Sequence, residues 1–161
     1  MYKLIGTLIL LAVSLLYGRR KIFYERQKIK EGEAICDLTE YISEQIEYTM
    51  KPLPEIIAGY RNEILAENGF LESAAAEGME KAWEVCSDGF RLPSGGIHDI
   101  FGEFCRSIGK GYRKEELELC GLTQKHLKAE LEKLKEDSVN REKLYRSLPP
   151  LMVLSVVLIL L

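Results

Sequence analysis

His98-Asp99 is the pairing that looks most like an acid/base couple, and it lies beside a glycine-rich stretch, Ser94-Gly95-Gly96. Successive residues of a helix point about 100° apart, so these two side chains are expected not to face each other. No nucleophile lies near them in sequence. His126 sits in Lys125-His126-Leu127-Lys128, which reads as a solvated helical face. Ser94-Gly95-Gly96 and Gly109-Lys110-Gly111 lack the preceding strand and the spacing of a phosphate loop, and read as turns. Cys36, Cys86, Cys105 and Cys120 stand 50, 19 and 15 positions apart, with no Cys-x-x-Cys and no Cys/His pair at zinc spacing. Such isolated cysteines are expected to be small core residues in a reducing compartment. The richest carboxylate row is Glu33, Asp37, Glu40, Glu44 and Glu47. Di-metal bundles draw on inward Glu-x-x-His pairs, whereas this row is expected on an outward face without histidine. It is therefore read as a solvated face that can also dock a basic partner. No catalytic residue, cofactor or metal ligand is expected, and no small-molecule substrate.

The elements carrying these residues all read as helices. Ile35, Leu38, Ile42, Ile46 and then Thr49 or Met50 mark one face of a helix from about Tyr24 to Met50, which Pro52 and Pro54 end. A second helix, about Pro54 to Glu67, has Ile57, Tyr60, Ile64 and Leu65 on one side and stops at Asn68-Gly69. A third, Phe70 to Cys86, carries Leu71, Ala74, Ala75, Met79, Ala82 and Trp83, the last as a core residue. A short helix from Ile97 to Ile108 follows, then a long one from about Lys114 to Leu148 striped by Leu117, Cys120, Leu127, Leu131 and Leu134. No stretch shows sustained strand alternation. The expected fold is all-α, an antiparallel bundle of about five to six helices flanked by an N-terminal and a C-terminal membrane helix.

The membrane expectation comes from how charge is distributed. The chain has 161 residues, 47% hydrophobic and 29% charged, values of a soluble globular protein. Yet every charged residue except Lys3 lies between Arg19 and Arg146. Arg19 to Lys30 holds six basic residues against Glu25, and Glu31 to Glu84 holds thirteen acidic against three basic. That acidic block and a pI of about 5.6 argue against nucleic acid as a partner. The two apolar runs, Leu4–Tyr17 and Leu148–Leu161, have their basic flanks toward the middle of the chain. This order suits uncleaved anchors with the middle in the cytoplasm. Fourteen helical residues reach only about 21 Å, against a hydrocarbon core of about 30 Å. The flanking Arg19, Arg20, Lys21, Lys143, Tyr145 and Arg146 are therefore assigned to the membrane interface, where basic and aromatic side chains snorkel. The expected division is residues 1–20 as one anchor, 21–147 as a cytoplasmic bundle and 148–161 as a second anchor. Pro149-Pro150 is expected to break or kink the helix entering it.

Several of these segments together resemble a known family. Ile46-Glu47-Tyr48 followed by Pro52-Leu53-Pro54-Glu55 is similar to the helix-break motif of stage III sporulation protein AB. Ala82-Trp83, the segment Phe101 to Gly109, and Gln124 to Leu134 fall where that family has its Ala-Trp, its Phe-Gly…Leu-Gly segment and its long helix. The strongest match is Lys143-Leu144-Tyr145-Arg146-Ser147-Leu148 entering the final apolar run. The resemblance spans nearly the whole chain. It departs from the family at Pro149-Pro150, where glycine is usual, and at Tyr112 and Glu116, where an Asp and a Gln are usual.

The resemblance implies a non-catalytic, membrane-anchored coupling subunit of the channel between mother cell and forespore in endospore formation. It would sit in the mother-cell membrane facing the forespore, with its bundle in the cytoplasm. By similarity to the helical module of type II secretion inner-membrane platform proteins, its partners would be a sporulation secretion-type ATPase and other channel proteins. The alternative is a platform subunit of a type II secretion or pilus-like system outside sporulation. A membrane-tethered helical enzyme is the reading from another class.

Overall fold

The computed structural model describes residues 2–160; for 2–5, 7, 8, 10, 11, 149, 152, 154 and 156–160 it describes the backbone alone. The described chain is all-α. Its helices are α1 (Tyr2–Tyr48), α2 (Leu53–Gly59), α3 (Glu63–Glu67), α4 (Phe70–Glu77), α5 (Met79–Cys86), α6 (Ile97–Ser107) and α7 (Arg113–Leu160), and no strand occurs among the described residues. The chain divides into two compact units, one of Met1–Gln27 with Leu134–Leu161 and one of Lys28–Lys133. α1 and α7 run through residues 20 and 148 without a break, so each expected terminal helix leads directly into the helix beside it in sequence.

Within the unit Lys28–Lys133, the apolar stripe of α1 behaves as its spacing predicts. Ile35, Leu38 and Ile42 are fully buried, while the stripe fades through half-buried Ile46 and Thr49 to Met50, which is 96% exposed. Met50 lies beyond the last helical turn, so it no longer shares the face. Each buried aliphatic side chain stabilises the fold by about 1.5–3 kcal/mol. Thr39, on the same buried side, donates its hydroxyl proton to the Ile35 carbonyl at 2.9 Å. Its burial therefore leaves no open donor. Antiparallel pairing of α1 with α7 is read from Gln124 donating to the Thr39 carbonyl, Lys128 on Glu40, and the Arg113 guanidinium on the Glu47 carbonyl. Cys120, Leu127 and Leu131 of α7 are buried.

The short helices hold an aromatic core in which Phe70 and Trp83 meet their neighbours edge-on or tilted, as the ring quadrupoles favour. The Phe70 ring meets Trp83 edge-on at 6.1 Å. It lies 5.7 Å from Phe101 and 6.2 Å from Phe90. Trp83 in turn meets Phe101 edge-on at 5.0 Å. Two helices expected as continuous are split. The first breaks between Gly59 and Glu63, where Asn62 turns extended. Its side-chain oxygen accepts from the Ile64 amide at 3.0 Å and from the Leu65 amide at 3.2 Å, which caps the new helix start. The second breaks at Gly78, whose φ of 96° and ψ of 160° only glycine adopts without strain. Asn68-Gly69 ends α3 as its sequence signals, with Gly69 at φ 71°.

Pro149-Pro150, expected to break or kink the entering helix, does not end α7, and helix continues to Leu160. A proline's φ is itself helical, and the pair removes two amide donors while the turns on either side retain theirs. At the other end of α7, Glu116 is 8% exposed and accepts the Gly111 amide at 3.0 Å, and Glu115 accepts that of Tyr112 at 3.1 Å. These carboxylates satisfy open donors at the helix start, a place where negative charge is favoured.

Candidate functional site

The carboxylate row of α1 occupies one helical face because its members recur at intervals of four and three. Asp37, Glu40, Glu44 and Glu47 are exposed and Glu33 is half-buried. The face is not wholly unengaged. Glu40 lies 3.5 Å from the Lys128 ammonium. Burial raises the Tyr60 phenol above its ordinary range, and the nearby charge of Asp37 adds to that rise. Tyr60 in turn packs on Tyr41 with ring centroids 4.9 Å apart. What remains is a surface carrying Glu44 and Glu47, beside exposed Tyr48 and Met50.

His98 and Asp99 do meet, contrary to the expectation from helical geometry: Nδ1 lies 3.2 Å from Oδ1. They occupy the first turn of α6, where side chains lean back toward the helix start and the backbone before it is not yet helical. Asp99 is held below the usual carboxylate range by that hydrogen bond first and by the Gly95 amide second. The pair borders a small recess of about 260 Å³ with Trp83, Gly102, Glu103 and Arg106. The centroid of the His98 ring lies 5.0 Å from that of Trp83. Among the described residues neither serine, cysteine nor lysine lines the recess, so its chemistry is that of a polar edge on the aromatic core. His126 is exposed, and no three His, Cys, Asp or Glu residues group at metal-binding distance among the described residues.

The interface residues assigned from sequence lie in the other unit. There Arg26 donates to both oxygens of Glu142 at 2.9 and 3.3 Å, and Arg141 reaches Glu25 at 3.7 Å. These pairs join α1 to α7 beside a cleft of about 740 Å³. Arg19, Lys143, Tyr145 and Arg146 all line it, together with Leu15, Ile22, Phe23 and Val139. Arg20 is exposed outside the cleft. The Lys21 ammonium stands 5.8 Å from the Tyr17 ring centroid, a cation–π contact across one turn of the same helix. The Arg26 hydrogen bond pulls Glu142 below the usual carboxylate range and raises Arg26. Ser14 also lines the cleft, with a buried hydroxyl that has no hydrogen-bond partner among the described residues.

Sequence reasoning missed Arg26, Glu142 and Glu31. Glu31 is wholly buried, and its carboxylate accepts the Arg91 backbone amide at 2.6 Å and guanidinium at 3.0 Å. Its signal was available, since Glu31 precedes Ile35 by four positions on the buried stripe.

Among the described residues no helix is long and apolar enough to cross a membrane. Much of both expected anchors lies outside the described side chains, which in the second anchor leave only 148, 150, 151, 153 and 155. Compared with known proteins, the chain matches the family model of stage III sporulation protein AB over residues 3–161. No curated protein and no solved structure matches it.

Proposed function

Because the chain belongs to the stage III sporulation protein AB family, we propose that it is a non-catalytic coupling subunit of the channel between mother cell and forespore. Both ends anchor it in the mother-cell membrane facing the forespore, and residues 21–147 form the cytoplasmic part. The carboxylate row of α1 docks a sporulation secretion-type ATPase. The family match over residues 3–161 carries this reading.

Two features support its parts. Docking by charge suits the exposed Asp37, Glu40, Glu44 and Glu47 on one face of a rigid helix, beside exposed Tyr48 and Met50. Anchoring suits Ile9, Val13, Leu15 and Leu16 of α1 and Leu151 of α7, each half or more exposed. Their neighbours across the basic flanks are the cleft residues Arg19, Lys143 and Arg146.

The test is deletion in the host, followed by membrane-stained microscopy of development. Forespores that complete engulfment and then collapse or stall are expected, and normal spores would overturn the channel role. For the ATPase, the full chain in detergent micelles is expected to bind in low salt and to lose binding as salt rises. Glu40→Lys with Glu44→Lys and Glu47→Lys is expected to abolish it. Binding that ignores both salt and charge reversal would remove the carboxylate row from the reading.

A further inference from the structure

Resting on the reading that the ends of the chain lie in a membrane, we propose that the cleft between α1 and α7 binds an anionic glycerophospholipid. Its phosphate lies among Arg19, Lys143 and Arg146, and its first acyl carbons run along Leu15 toward Val13. The cleft has the two-part chemistry such a molecule needs. One wall is apolar and continues into the exposed Leu16, Val13 and Ile9 of α1. The rim is cationic, with more positive charge than its carboxylate Glu142 offsets. Glu142 is the carboxylate lining the cleft, and Arg26 engages both of its oxygens. Arg19 and Lys143 have no ion pair among the described residues. Arg146 adds its charge near Glu142 without displacing Arg26.

Guanidinium groups match phosphate oxygens in pairs, and two of the three cations are arginines. A volume of about 740 Å³ accommodates a glycerophosphate headgroup and the upper part of its chains, and lies within the range of small-molecule sites. Basic pockets between helices on the cytoplasmic side of a membrane recognise anionic lipids by this chemistry. A free phosphate would use the rim and leave the apolar wall in water, so the wall decides for the lipid.

The experiment extracts the full chain from vesicles of equal phosphatidylcholine and phosphatidylglycerol, then counts co-purifying lipids by native mass spectrometry. Phosphatidylglycerol is expected to be about tenfold enriched. Arg19→Gln with Lys143→Gln and Arg146→Gln is expected to return the ratio to that of the vesicle. Lys81→Gln with Lys114→Gln and Lys125→Gln changes net charge equally at exposed positions of the other unit, and is expected to keep the enrichment. Helical circular dichroism is expected to be unchanged in both triple variants. Equal retention of the two lipids, or loss of enrichment in the control variant, would overturn the site. So would displacement of the lipid by excess inorganic phosphate. Alkaline carbonate extraction of host membranes separates the two layers of the argument. A chain that stays in the pellet without lipid preference overturns the site alone, whereas release by carbonate overturns the anchoring reading with it.

Discussion

The carboxylate of Glu31 closes a clasp on Arg91 sixty positions later, taking its backbone amide at 2.6 Å and its guanidinium at 3.0 Å. The Glu31 side chain is 1% exposed and that of Arg91 45%. This asymmetry decides which half matters. The buried acceptor fixes the segment after the 3₁₀ turn Ser87–Gly89 against α1, while much of the guanidinium's charge is screened by water.

Glu31→Ala is accordingly expected to cost about 1–3 kcal/mol, since it leaves a part-buried amide without its charged acceptor. Arg91→Ala keeps that amide bond and is expected to cost about 1 kcal/mol or less. Urea titrations of the two variants compare them directly. Equal losses would show that the guanidinium, and not the amide, holds the segment.

Gly102→Ala sets two effects of opposite sign against each other. Replacing glycine inside α6 gains about 1 kcal/mol of helix propensity. The added Cβ, however, would stand 2.7 Å from Nε1 of Trp83, a ring that is 5% exposed and held among Phe70, Phe90 and Phe101. Overpacking of that kind costs about 1–3 kcal/mol, so net destabilisation is expected. Trp83 is the one tryptophan, so its emission is expected to shift to the red as the ring is pushed outward. An unchanged spectrum with raised stability would count against the packing described.

Thiol reagents are expected to distinguish the cysteines by burial. Cys36, Cys105 and Cys120 are buried and Cys86 is half-buried. Native protein is expected to release about one equivalent of product rapidly, from Cys86, and four only in denaturant. Cys86→Ser is expected to remove the fast phase.

Alkali is expected to weaken the fold through the same groups. Burial pushes the Cys120 thiol up to about 11, with the charge of Glu116 adding to it, and burial raises that of Cys105 well above its ordinary value. In the unfolded chain these thiols ionise at pH ~8.5. Above that pH the unfolded state loses protons that the native state keeps, so stability falls until the native thiols ionise and is flat below it. Cys120→Ala is expected to show a shallower decline between about pH 8.5 and 11. An identical decline would assign the loss to other groups.

The helical class and the core face of α1 were legible because Ile35, Leu38 and Ile42 recur at helical spacing and nothing competes with burying them. The end of α3 at Asn68-Gly69 was legible for a similar reason: one local conformation suits those residues. Gly78 was not, because a lone glycine is tolerated in helices and only its φ of 96° reveals the break. The break before α3 left a weaker mark, Asn62 followed by Glu63, which the surrounding apolar spacing outweighed. Charge order alone singled out the basic residues flanking the apolar runs. That Arg19, Lys143, Tyr145 and Arg146 border one cleft while Arg20 does not depends on helical phase against a partner more than a hundred positions away.

The ion pair between Arg26 and Glu142 spans 116 positions, and this separation sets a timetable. At roughly 5–20 residues per second of synthesis, the first segment of α1 emerges on the order of ten seconds before its partner exists. Over that interval Ile9, Val13 and Leu16, exposed even in the finished chain, have no helix of their own to lie against. The apolar side chains of this segment therefore need a host until Glu142 and its helix have been made, and closure of this unit cannot precede that.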